Sequence, residues 1–145
     1  MPTVADILSS KTGIVHSLPP TATVRDALQC MADKNVGSVL IMQGEVLLGI
    51  FTERDYARKI ALKGLASPTT MLTDVMTAKL YVVSSRQTVQ ECMGIMNQAK
   101  VRHLPVVEDG AVVGLVSIGD LVNATIREQA FVIAQLESYI AGNMG

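Results

Sequence analysis

One supersecondary unit is written twice in this chain, and that repetition limits the fold more than any other feature. Shifted by 65 positions, the sequence aligns on itself without a gap from Val15 to Lys59. Thr23-Val24 meets Thr88-Val89, Met31 meets Met96, Val36 meets Val101, Gly49 meets Gly114 and Asp55 meets Asp120. A short lead precedes each copy at a slightly different offset, Ala5-Asp6-Ile7-Leu8 and Thr73-Asp74-Val75-Met76. With 145 residues the chain can form one domain or two very small ones fused on a shared core.

Each copy reads as strand, helix, strand, strand, helix. Val15 to Leu18 reads as a short strand and stops at Pro19-Pro20. Thr23 with Asp26, and Thr88 with Glu91, carry the hydroxyl and acid spacing of a capping box. Behind them, Val24, Ala27, Leu28 and Met31 keep to one helical face, as do Val89, Cys92, Met93 and Met96. Hairpins follow: Ser38 to Met42, a turn at Gln43-Gly44 and Val46 to Phe51, then Leu104 to Val107, a turn at Asp109-Gly110 and Val112 to Val116. In copy one the second helix ends near Gly64, a glycine suited to a helix C-terminus. Leu65 to Thr70 is the linker-like stretch, which puts the first repeat with its lead at 1–69 and the second at 70–145.

The motif closing each hairpin carries the chemistry. Gly49-Ile50-Phe51-Thr52-Glu53-Arg54-Asp55 and Gly114-Leu115-Val116-Ser117-Ile118-Gly119-Asp120 each run a strand into a helix start, with a hydroxyl residue three positions before an aspartate. Backbone N–H groups at such a start lack intrahelical acceptors and suit an anion. A carboxylate beside them can accept from both hydroxyls of a diol. The pair suggests ribose next to phosphate, an adenosine-type nucleotide. Thr-x-x-Asp and Ser-x-x-Asp are also capping signatures, and for a single occurrence capping is the simpler reading. Repetition at corresponding places favours a shared purpose.

Composition excludes other classes. Apolar residues make up 49% and aromatic ones 3%, which fits an aliphatic α/β core better than a base-stacking platform. A net charge of -1 gives no electrostatic case for nucleic acid or anionic lipid. No apolar run reaches membrane-span length, and Met1 to Asp6 lacks the features of a signal peptide, so a soluble cytoplasmic protein is the expectation. Cys30 and Cys92 fall in helical patterns with no ligand spacing around them, and no metal site is expected.

The last helix outruns its partner. Val122, Ile126, Ile133, Leu136 and Ile140 recur at three- and four-residue steps, with Gln129 as the polar break. This is a short seam for another helix, or a face that covers its own core.

The tandem unit resembles the CBS-domain pair, named after cystathionine β-synthase. The residues that carry the resemblance are Val36-Gly37-Ser38, Val101-Arg102-His103-Leu104-Pro105-Val106 and the two hydroxyl–aspartate motifs. The runs Thr52 to Lys59 and Ser117 to Val122 look like those of stand-alone bacterial signal-transduction pairs. The resemblance implies an α/β fold of two tandem β-α-β-β-α repeats packed with pseudo-two-fold symmetry. It implies clefts that take AMP, ADP, ATP, S-adenosylmethionine or NAD(H), a homodimer, and a regulated partner protein that senses the module's shape. Carried onto this sequence, one cleft combines Thr52, Arg54 and Asp55 with Tyr81-Val82 and Arg102-His103-Leu104-Pro105. The other combines Ser117 and Asp120 with Val15-His16 and Val36-Gly37-Ser38. The first collects guanidinium donors suited to phosphate. The second has Lys11 as its nearest cation, and Gly119 in place of Arg54 leaves open space there. Arg102 and His103 also fit a plain solvated helix end.

Two other functions compete with this one. Ser117, His103 and Asp120 could be drawn as the triad of a small hydrolase, but no G-x-S-x-G elbow is present and Asp120 lies one turn from Ser117, where capping is easier. A purely structural dimerisation module would have no use for the aspartates, and both are present. A regulatory nucleotide-binding module, not an enzyme, is the expectation.

Overall fold

Hydroxyl side chains start most of the helices, and Thr23, Thr52, Thr88 and Ser117 do so as their spacing predicts. In the computed structural model, which describes residues 1–11 and 15–144, the elements run α1 (Val4–Ser10), β1 (Ser17–Leu18), α2 (Val24–Lys34), β2 (Ser38–Gln43), β3 (Val46–Thr52), α3 (Glu53–Asp55), a π-helical turn (Tyr56–Ala61), α4 (Leu72–Val75), α5 (Val89–Ala99), β4 (His103–Glu108), β5 (Ala111–Ser117) and α6 (Ile118–Met144). Thr3, Thr23, Thr52 and Thr88 all close capping boxes. α2 and α5 each end on a left-handed residue, Asn35 and Lys100.

The chain divides into two compact units. One holds Met1–Gly13, Tyr81–Glu108 and Gly114–Gly145; the other holds Ile14–Leu80 and Asp109–Val113. They are called here the second-repeat and first-repeat units. The N-terminal lead α1 thus belongs to the second-repeat unit, and the middle lead α4 to the first-repeat unit. The spatial division differs in this from the sequence division at 69 and 70, because each lead packs on the repeat that does not follow it.

In the first-repeat unit, β1 runs parallel to β2, which pairs antiparallel with β3. Val24, Ala27 and Met31 of α2 are buried with Val39, Ile41, Phe51, Ile60 and Leu72. α4 starts beside α2: Val24 N–H donates to Thr70 O and Leu72 N–H to Ala22 O, both at 2.9 Å. Thr77 and Ile50 exchange two backbone hydrogen bonds beyond it, at 2.9 and 3.0 Å.

The second-repeat unit repeats the scheme. Val89, Cys92 and Met96 of α5 are buried with Leu104, Val106, Val116 and Leu121, and α1 adds Val4 and Ile7. α1 starts beside α5 as α4 does beside α2: Val4 N–H donates to Gln87 O at 2.9 Å and Val89 N–H to Pro2 O at 3.0 Å. Burial raises the Cys92 thiol pKa, with the charge of Glu91 adding to the effect.

The expected first strands come out short, for different reasons. Val15 to Leu18 contracts to Ser17 and Leu18, against the two prolines that follow. Tyr81-Val82 forms no strand; only Val83 bridges, parallel to Val106. In the first repeat, Leu40 N–H donates to His16 O at 3.1 Å. The counterpart of Leu40 is Pro105, which has no N–H to give to Tyr81, so the ladder loses that rung. The first hairpin turns at Gly44-Glu45, one residue later than expected. The helix after β3 turns from α to π at Tyr56, and Leu62 N–H donates to Ala57 O.

Candidate functional site

Both hydroxyl–aspartate pairs are capping boxes, so the capping reading holds at each, and both carboxylates are also met by a lysine. In the first-repeat unit, Asp55 Oδ2 accepts from Thr52 N–H and Asp55 N–H donates to Thr52 Oγ1, both at 3.0 Å. Asp55 Oδ1 accepts from Thr77 Oγ1 at 3.1 Å and lies 3.3 Å from Lys59 Nζ. Lys59 also donates to Val75 O and Thr77 Oγ1. The middle lead therefore closes over this carboxylate.

The turn after α2 comes to the same place. Glu53 N–H donates to Gly37 O at 3.1 Å, and Ser38, buried, pairs with Thr52 across β2 and β3. His16 and Val15, half-buried, enter at β1. His16, Gly37, Ser38, Thr52 and Asp55 are thus gathered within one unit. Arg54 is exposed at the first turn of α3.

In the second-repeat unit, Asp120 Oδ2 accepts from Ser117 N–H at 2.8 Å, and Asp120 N–H donates to Ser117 Oγ at 3.2 Å. Lys11 Nζ donates to the same Oδ2 at 2.8 Å and to Leu115 O at 3.0 Å. Leu115 is the repeat counterpart of Ile50, whose carbonyl accepts from Thr77 N–H. Ile118 N–H donates to Arg102 O at 2.9 Å, the counterpart of the Glu53–Gly37 bond. Exposed Arg102 and half-buried His103 thus stand at the start of α6, with Leu104 and Pro105 buried behind them. A Cβ on Gly119 would meet only Ser117 Oγ, at 3.7 Å, so the space there is open.

Burial acts to raise the Asp120 pKa. It is outweighed by the hydrogen bond from Lys11, the Ser117 N–H and the Lys11 charge, which together hold the carboxyl below its ordinary value.

Of the residues expected in the charged cleft, Thr52, Arg54 and Asp55 lie in the first-repeat unit, and Tyr81, Val82, Arg102, His103, Leu104 and Pro105 in the second-repeat unit. The other expected set divides the opposite way: Ser117, Gly119, Asp120 and Lys11 fall in the second-repeat unit, and Val15, His16, Val36, Gly37 and Ser38 in the first. Lys11 is engaged with Asp120 itself. Lys59, Val75 and Thr77 were not anticipated. Lys59 stands four residues after Asp55, a spacing at which an acid and a base meet on a helix, and that signal was available. Among the described residues, no group of three His, Cys, Asp or Glu is placed to hold a metal ion, and no helix is long and apolar enough to cross a membrane.

The chain is similar to proteins that carry CBS domains. The Arabidopsis thaliana CBS domain-containing protein CBSX3, mitochondrial, is 36% identical over 97% of this chain and 72% of its own length. A solved structure of a protein with CBS domains from Burkholderia ambifaria MC40-6 is 42% identical, with a TM-score of 0.84 over 88% of this chain and 96% of that one. The CBS domain protein PAE2072 from Pyrobaculum aerophilum, solved in complex with AMP, is 25% identical, with a TM-score of 0.71 over 81% of this chain and 88% of its own. The family model of the CBS domain matches twice, over residues 4–62 and 72–127, one match for each repeat with its lead, and the chain belongs to the CBS-domain family.

Proposed function

We propose that this chain is a regulatory module that binds an adenosine-containing ligand, AMP, ADP, ATP, NAD(H) or S-adenosylmethionine, through Asp55 and Asp120. The observation that carries this reading is the duplicated arrangement at the two aspartates. Each is fixed by its own capping box, each is met by a lysine, and each lies beside a backbone bond between helix start and post-helix turn. A carboxylate already oriented by the backbone can accept from a ribose diol with little further ordering. The AMP complex of PAE2072 supports the ligand class. Guanidinium groups at Arg54 and Arg102 suit phosphate in the set with Asp55, Tyr81-Val82 and Arg102 to Pro105. The set with Ser117, Gly119 and Asp120 offers mainly backbone N–H. The family resemblance adds two parts to the reading: two copies pair as a homodimer, and a regulated protein responds to ligand occupancy.

Mass spectrometry of whatever leaves the purified protein on denaturation tests the ligand class. The chain has no Trp and three Tyr, so a co-purified adenine ring also dominates its ultraviolet spectrum. Titration of ligand-stripped protein with adenosine, AMP, ATP and NAD(H) then ranks the ligands. A stripped protein that binds none of them, nor S-adenosylmethionine, would overturn the reading.

A further inference from the structure

Among the residues of α6 whose burial is described, Ala124 is the last buried and Glu128 the last half-buried; residues 129–142 are all exposed. The covering role expected as one alternative for this helix therefore stops near its second turn. Beyond it, Ile126, Ile133, Leu136 and Ile140 are 55–57% exposed, and Val122, just before Ala124, is 42% exposed. Written as heptads, Ile126, Ile133 and Ile140 take the a positions, and Val122, Gln129 and Leu136 the d positions. Val132 and Tyr139, 44% and 69% exposed, stand immediately before the a residues and widen the stripe on one side.

We propose that α6 pairs along this stripe with α6 of a second copy of the chain, as a parallel two-stranded coil. The proposal specifies the surface for the homodimer reading and is independent of nucleotide binding. Isoleucine at all three a positions, with leucine at the d position Leu136, leans towards two parallel strands. Gln129 at d would meet its own copy, satisfying two amides together, and a slipped register would leave each against an aliphatic neighbour. Charge points to a like partner. After Asp120 the helix carries only Arg127, Glu128 and Glu137 as charged residues, none at a or d, so two copies meet without like-charge contact in the seam. An acidic or basic target finds no complementary stripe. The area also suffices: the seven apolar side chains from Val122 to Ile140 on this stripe expose on the order of 800 Å² per copy, about what one side of a standard stable interface buries. Phe131, 60% exposed, lies on the opposite face and takes no part.

Sedimentation of the full chain, Ile133→Glu and a Cys30→Ser/Gln129→Cys variant tests this. The expected results are a wild-type dimer, a dissociation constant raised at least about a hundredfold in Ile133→Glu with unchanged circular dichroism, and a disulfide-linked dimer of Gln129→Cys under mild oxidation. A monomeric wild type would overturn both this proposal and the homodimer reading. A wild type and Ile133→Glu that are equally dimeric would overturn the seam alone. Failure of Gln129→Cys to cross-link within a dimer that Ile133→Glu disrupts would overturn the parallel register. A monomeric wild type that binds vesicles of three parts phosphatidylcholine to one part phosphatidylglycerol, with binding lost in Ile133→Glu, would assign the stripe to a lipid surface instead.

Discussion

Lys11 Nζ lies 2.8 Å from Asp120 Oδ2, joining residues 109 positions apart in sequence. The contact ties the end of α1 to the start of α6. It also occupies an oxygen of the carboxylate that the proposed ligand would use. The pair is partly exposed, with the two side chains 38% and 22% accessible, so it stabilises only modestly, by about 0.5 kcal/mol after screening.

That contact makes the docking of α1 sensitive to acid. The folded Asp120 carboxyl titrates below its ordinary value of 3.8, so its contribution is complete above that value and is lost as pH falls through the lower, folded value. Wild type should therefore be more stable than Lys11→Met at pH 6, and the gap should close as the pH is taken below the ordinary value of 3.8 and through the lower, folded one. Chemical denaturation at a series of pH values measures this. A gap independent of pH would mean that Lys11 acts through its aliphatic stem.

Asp55→Asn and Asp120→Asn should each weaken one binding event and leave the other intact. The amide oxygen can still accept from the capping N–H, so the fold is largely kept while the charge is removed. A hydrogen bond to a charged group contributes about 1.5–3 kcal/mol, so the affected dissociation constant should rise roughly ten- to a hundredfold. Calorimetry with AMP would show this. One substitution abolishing both events, or neither changing any, would refute the ribose assignment.

Arg102→Ala should cost more affinity for AMP than for adenosine, because the guanidinium meets phosphate and not the sugar. The loss should shrink as salt rises. Titrations with both ligands at low and high salt test the difference, and equal losses would make Arg102 a support of the turn at Ile118.

The two motif glycines should respond unequally to alanine. At Gly49 a Cβ would fall 2.7 Å from Met76 Sδ and 2.9 Å from the Thr77 carbonyl, which belongs to a backbone held on Ile50. At Gly114 it would fall 2.6 Å from Leu8 Cδ2, the end of a flexible side chain. Gly49→Ala should destabilise by about 2–3 kcal/mol and Gly114→Ala by about 1 kcal/mol. Urea midpoints that moved equally would contradict this ranking.

What the sequence disclosed was local. Thr23, Thr88 and the hairpin turns follow from neighbours within a few residues, and the repeat doubled each signal. The loss of the strand at Tyr81 could be foreseen only by noticing that Pro105 stands where Leu40 donates. Lys59 was within reach as the fourth residue after Asp55. The Lys11–Asp120 contact was not, since no periodicity links residues that far apart. Nor did the repeat reveal which lead packs on which repeat, because both leads carry the same acid and apolar spacing.

The placement of α1 has a consequence for the order of events on the ribosome. Within the second-repeat core, Val4 and Ile7 emerge before the side chains that bury them, Val89, Val116 and Leu121 among them. The partners of α4 are already outside when it appears. The first-repeat core can therefore assemble during synthesis, while α1 waits as an amphipathic segment until the second repeat has been made, since contacts of long sequence separation close late. A nascent chain stalled after the first repeat would present that segment uncovered, an exposed tag of incomplete synthesis for chaperones or proteases to read.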